Sequence, residues 1–106
     1  MRRHGRVDAN QKEIVQTIRG FGASVTVLSD VGCGCPDLVV GYRGHNFLFE
    51  VKDNTKPPSQ QKLTTDQLKW HNGWRGSAQI IKCPADVVRF LTRVRPKDKD
   101  FPDGPN

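Results

Sequence analysis

Apolar residues recur at Ile14, Val15, Ile18 and Phe21, the spacing of one helix face. The stripe predicts a first helix over residues 8–21, ended by Gly20 and Gly22. Val25, Val27 and Leu28 predict a strand over 24–28, followed by a glycine-rich turn over 30–35. Two apolar runs come next, 37–42 and 46–52. The segment between them, Gly41-Tyr42-Arg43-Gly44-His45-Asn46, has the glycine content of a hairpin connection. Residues 53–61 hold Pro57-Pro58 and read as a loop. A second helix is expected over 64–74. Thr64 is its N-cap, Gln67 completes a capping box, and Leu63 and Leu68 have the spacing of a hydrophobic staple. A last strand over 78–82 and a last helix over 84–94 follow, the helix starting near Pro84 with Val87, Val88 and Leu91 inward. The order α-β-β-β-α-β-α makes this an α/β fold, a mixed central sheet flanked by helices.

Within the second apolar run, strand alternation puts Glu50 and Lys52 on one face, roughly 6–7 Å apart along the chain. Phe47, Phe49 and Val51 point the other way, and Leu48 shares the face of the charges. Charges beside a strand core are costly unless paired or bound to metal. Asp37 opens the preceding strand, so two carboxylates and an ammonium meet on one hairpin. That set suits a divalent cation and an anionic substrate. The plainer alternative is a surface salt bridge between Glu50 and Lys52, which leaves Asp37 unexplained.

Pro36-Asp37 followed by Glu50-x-Lys52 resembles the PD-(D/E)xK nuclease superfamily. The text around it resembles the small VRR-Nuc-type nucleases of phages and bacteria. The shared features are Gly34-Cys35-Pro36-Asp37-Leu38, Glu50-Val51-Lys52, a proline-rich loop and Leu63-Thr64-x-x-Gln67, and the resemblance spans residues 8–91. It implies a restriction-endonuclease-like core with the same element order. It also implies Mg²⁺ or Mn²⁺ held by Asp37, Glu50 and the Val51 carbonyl, with Lys52 orienting water or stabilising charge on the phosphate. A first-helix acid often completes the metal site in these enzymes, and Glu13 occupies that place. Asn10-x-x-Glu13 is equally a capping-box pattern. A glutamine on the second helix faces the site in these enzymes, which makes Gln67 a candidate catalytic residue. One side chain does not easily cap a helix and serve a site at once, so the two roles of Gln67 compete.

Net charge changes the picture next. The chain has 106 residues and a net charge of +6, with a pI near 9.6. Its size fits one domain, expected over 8–95 after a basic arm (1–7) and before a disordered, proline-rich tail (96–106). The charge favours nucleic acid as partner. Arg43, Lys56, Lys62, Lys69 and Arg75 are candidate phosphate contacts, although each by itself also reads as a solvated charge. For Trp70 and Trp74, core packing is expected over base stacking for at least one. Cysteines at 33, 35 and 83 cannot all pair within the chain, which fits a reducing cytoplasm, in a bacterium or a phage-infected cell. Cys33-Gly34-Cys35 lacks the two-residue gap of paired zinc ligands, and His4, His45 and His71 show no ligand or triad spacing. No apolar run approaches the ~20 residues of a membrane span. The expected function is a metal-dependent DNA endonuclease, structure-specific on branched DNA such as four-way junctions and working as a homodimer. A non-cleaving DNA-binding module with a nuclease fold and a ribonuclease are the alternatives.

Overall fold

The computed structural model describes residues 7–97. Most of the expected basic arm, and the expected tail from residue 98 on, lie outside the described residues. The elements follow the expected order: α1 (Gln11–Gly20), β1 (Ser24–Val27), β2 (Leu38–Tyr42), β3 (His45–Val51), a 3₁₀ turn (Pro58–Gln60), α2 (Thr65–Gly73), β4 (Ala78–Ile81) and α3 (Pro84–Leu91). The four strands lie in the order β1-β2-β3-β4. The first two pairings are antiparallel, and β3 runs parallel to β4. Parallel neighbours need a crossover, and α2 lies in that connection.

The β2–β3 hairpin is tighter than the sequence suggested. Tyr42 pairs with His45, leaving only Arg43 and Gly44 as the loop. Both have positive φ, 52° and 84°, the signature of a type I′ turn, whose twist matches the strands.

One sheet face is the core. Leu38, Val40, Phe49, Val51 and Ile81 are buried there with Ile14, Val15 and Ile18 of α1 and Val87 and Leu91 of α3. Burying each such side chain contributes roughly 1.5–3 kcal/mol. Phe90 packs edge-on against Phe47 and Phe49, at 4.9 and 5.4 Å between ring centroids. Val88, expected inward, is exposed, because α3 turns residues 87, 90 and 91 toward the sheet. The first helix starts later than expected. Residues 9–10 form a turn, and Asn10 precedes the helix with no side-chain cap.

The second helix is different in kind: none of its residues is buried. Its first turn is held by a complete capping box, with Thr64 accepting from Gln67 N and Gln67 reaching back to Thr64 N. It also leans on the turn before β2. Gly34 has φ +81°, and a Cβ there would lie 2.5 Å from the Asp66 carbonyl carbon and 2.8 Å from Gln67 N. Only glycine allows that backbone approach. The expectation that one of Trp70 and Trp74 enters the core does not hold. They stack on each other, 4.6 Å apart and 17° from parallel, and Trp74 is 46% exposed.

Candidate active site

Asp37 precedes β2 by one residue, and Glu50, Val51 and Lys52 end β3. The antiparallel register pairs Leu38 with Phe49, so the two carboxylates come to the same end of the hairpin. Asp37 is fixed from across the strand: its Oδ2 accepts from Val51 N at 2.7 Å, the short distance of a charge-assisted bond. Glu50 and Lys52 lie on the face opposite Phe49 and Val51, yet this face is closed as well. Glu50 is 1% exposed and Lys52 is 6% exposed.

Gln67 reaches this buried pair from α2. Its Oε1 accepts from Lys52 Nζ at 2.8 Å and from Thr64 N at 2.9 Å. Its Nε2 donates to Glu50 Oε2 at 3.0 Å. An ammonium is a donor only, which fixes the amide with oxygen toward lysine and nitrogen toward carboxylate. The competition expected between cap and site is therefore absent. A carbonyl oxygen has two lone pairs, and Gln67 uses one for the helix end and the other for Lys52.

Burial pushes the Glu50 carboxyl up to about 9, aided by Asp37 beside it, while Lys52 opposes the shift. Two carboxylates this close cannot both ionise cheaply in a closed site. Glu50 Oε1 is buried and accepts no hydrogen bond, and the protonated Glu50 carboxyl is hydrogen-bonded to Asp37. In this state Glu50 is a neutral acid at pH 7. The folded protein then holds a proton that the unfolded chain releases above its ordinary value of 4.5. Stability of the metal-free protein falls as pH rises from about 4.5 to about 9. Thermal melts in a chelator check this, and Glu50→Gln should flatten the slope. A wild-type slope no steeper than that of the variant rejects the assignment.

Glu13 is not brought to this cluster. It is exposed on α1, and its carbonyl accepts from Thr17 Oγ1. Its capping-box reading does not hold either, because Asn10 is used elsewhere. Asn10 Nδ2 donates to the Lys52 carbonyl at 3.1 Å and to the Lys82 carbonyl at 2.9 Å, tying the start of α1 to the ends of β3 and β4. The acid that the N-terminal segment does contribute is Asp8. Burial raises its carboxyl, and it feels the charges of Lys52, Asp37, Asp53 and Lys56. Nothing in the spacing of Asp8 marked it out, since its approach depends on how α1 packs. His71 and Cys35 are further neighbours. Burial and then Lys52 lower the His71 imidazole, and burial followed by Glu50 and Asp37 raises the Cys35 thiol. His71 was passed over in the sequence, although it lies one helical turn after Gln67 on the same face.

The basic candidates divide. Lys56 lies near enough to act on Asp8. Lys62, Lys69 and Arg75 are exposed, Lys69 on α2 and the other two in the loops flanking it. Arg43 is at the hairpin tip, the opposite end from Asp37 and Glu50. There its guanidinium donates to the Val94 carbonyl and lies over the Tyr42 ring. In return Lys97 N donates to the Arg43 carbonyl, so the chain is in place through residue 97. Cys33, Cys35 and Cys83 are free thiols. No helix among the described residues is long and apolar enough to cross a membrane.

A carboxylate pair and a lysine at the ends of two central strands, on a mixed sheet between helices, define the PD-(D/E)xK arrangement. Among solved structures the chain is similar to a VRR_NUC domain, with 26% identity and a TM-score of 0.60, covering 80% of this chain and 92% of that one. No family model and no curated protein matches the chain. Motif and fold together make it similar to the VRR-Nuc-type nuclease domains.

Proposed function

We propose that the protein is a Mg²⁺- or Mn²⁺-dependent DNA endonuclease that hydrolyses phosphodiester bonds in branched duplex. The observation that carries the reading is Glu50: a buried carboxyl against Asp37 with one oxygen that accepts no hydrogen bond. A divalent cation relieves the repulsion of such a pair and occupies that oxygen. Among the described residues no three His, Cys, Asp or Glu side chains form a metal-binding group. Mg²⁺ binds through one or two carboxylates with water and substrate phosphate filling the remainder. Asp37 and Glu50 would hold the ion, with the Val51 carbonyl beside them. Bound there, it supplies an acidified water and polarises the phosphoryl oxygen.

The remaining work falls to the chain. Lys52 presents an ammonium whose position Gln67 fixes, so its charge is already in place when negative charge grows on the phosphate. Lys56, Lys62, Lys69 and Arg75 attract the backbone of the nucleic acid. Homodimerisation is supported by exposed apolar groups, Leu68 and Trp74 of α2 and its C-terminal end and Ile80 of the edge strand β4. A twofold pair of sites matches the symmetry of a four-way junction.

Cleavage of a panel of flap, fork, four-way and linear DNAs and single-stranded RNA, with and without Mg²⁺, tests this reading, together with light scattering. Metal-dependent cutting of branched DNA by a dimer is expected. Equal rates on linear and branched duplex, or a strict monomer, remove the junction-resolving form and leave the nuclease. RNA as preferred substrate favours the ribonuclease, and no cleavage at all favours a binding module.

A further inference from the structure

Gln11 is the first residue of α1 and is 6% exposed, a burial uncommon for glutamine. Its Oε1 has no hydrogen-bond partner. The great majority of buried polar atoms in folded proteins are paired, and an orphan costs roughly 1–3 kcal/mol. The residues on either side of Gln11 locate it. Asn10 is bonded to the carbonyl of Lys52, two residues beyond Glu50. Gln11 N donates to the Asp8 carbonyl at 3.0 Å, and the Asp8 side chain feels Asp37 and Lys52. The first turn of α1 is thus clamped to the end of β3 where the carboxylates meet.

Three buried oxygens that accept no hydrogen bond therefore belong to one end of the sheet, Glu50 Oε1, Gln11 Oε1 and Asn10 Oδ1, and of the two amides that of Asn10 is already committed to the Lys52 and Lys82 carbonyls. Side-chain amide oxygens are ordinary ligands of hard cations. Glu13 is turned to solvent, so beside the acid Asp8 the first turn of α1 offers this end a neutral donor. We propose that the Gln11 amide oxygen completes the cation site built on Asp37 and Glu50. This rests on the metal-dependent reading above. A neutral donor adds no charge to that set, so the ion is held more weakly than it would be by an acid in the same place.

The test is Mn²⁺ binding to the DNA-free protein, followed by calorimetry and by electron paramagnetic resonance of the free ion, at neutral pH. Gln11→Leu should weaken binding about tenfold, and Gln11→Glu, which keeps the shape and adds a charge, should tighten it. Circular dichroism reports whether each variant is folded. Unchanged affinity in folded Gln11→Leu overturns the inference and leaves the nuclease reading standing. Should Gln11→Leu not fold, Gln11→Glu decides, and affinity equal to or below wild type overturns the proposal. Wild-type protein that binds no Mn²⁺ overturns both.

Discussion

Asp37→Asn and Glu50→Gln should each lower single-turnover cleavage by roughly a thousandfold or more. Each keeps the side-chain shape and removes one of the two charges proposed to hold the ion. A bound cation contributes several kcal/mol of transition-state stabilisation, and each 1.36 kcal/mol is a factor of ten. Neither variant should unfold. In Asp37→Asn the amide oxygen can still accept from Val51 N, and in Glu50→Gln the amide oxygen can still accept from Gln67. Glu50→Gln should be at least as stable as wild type above neutral pH, because it removes a buried acid that resists ionisation. Lys52→Ala differs in pattern: turnover falls more than DNA affinity, because one ammonium is a small part of a broad basic surface. Rapid-quench kinetics beside binding isotherms separate these effects. Near-wild-type cutting by either carboxylate variant removes the metal-site assignment.

Gly34→Ala should destabilise the protein by on the order of 3 kcal/mol, a fall in Tm of more than ~10 °C for a domain of this size. Two costs combine. Positive φ at Gly34 is unfavourable for alanine, and the new methyl would press on the backbone of Asp66 and Gln67, which cannot rotate away. Gly32→Ala is the control. Its φ is +76°, but nothing lies within 4 Å of its Cβ position, so only the backbone cost of about 1–2 kcal/mol applies. The larger effect at Gly34 should also appear in activity. Moving the first turn of α2 withdraws Gln67 from Lys52 and Glu50, and cleavage should fall further than stability alone explains at low temperature. Equal melting temperatures for the two variants contradict the close-approach account.

The two experiments probe one structural fact. The second helix is attached through its first turn, by the Thr64–Gln67 box and the Gly34 contact, and not by a buried apolar face. Its order and the site's geometry are coupled through Gln67. A helix with so little burial belongs to the low-stability end of a fold, where the parts that respond to ligands are found.

What the sequence determined by itself was whatever depends on short-range pattern. Helical spacing at Ile14, Val15 and Ile18, alternation through 47–52, and the Thr64-x-x-Gln67 cap each involve residues within one or two turns or one strand. They placed every element to within a few residues. Asp37, Glu50 and Lys52 were legible for the same reason, since a hairpin register brings them together once its strands are recognised. Tertiary structure decided the rest. Whether Glu13 or Asp8 approaches the carboxylates depends on how α1 rotates as it packs on the sheet, and apolar spacing fixes the inward face without fixing where the helix begins. Burial of Lys52 and Gln11, and the outward place of Trp74, likewise follow from which surfaces the helices cover and which they leave open. The dual use of Gln67 was hidden for a geometric reason. Nothing in a linear spacing shows that a helix cap points into a site some fifteen residues back along the chain, because that needs the close approach of Gly34 to the backbone of Asp66.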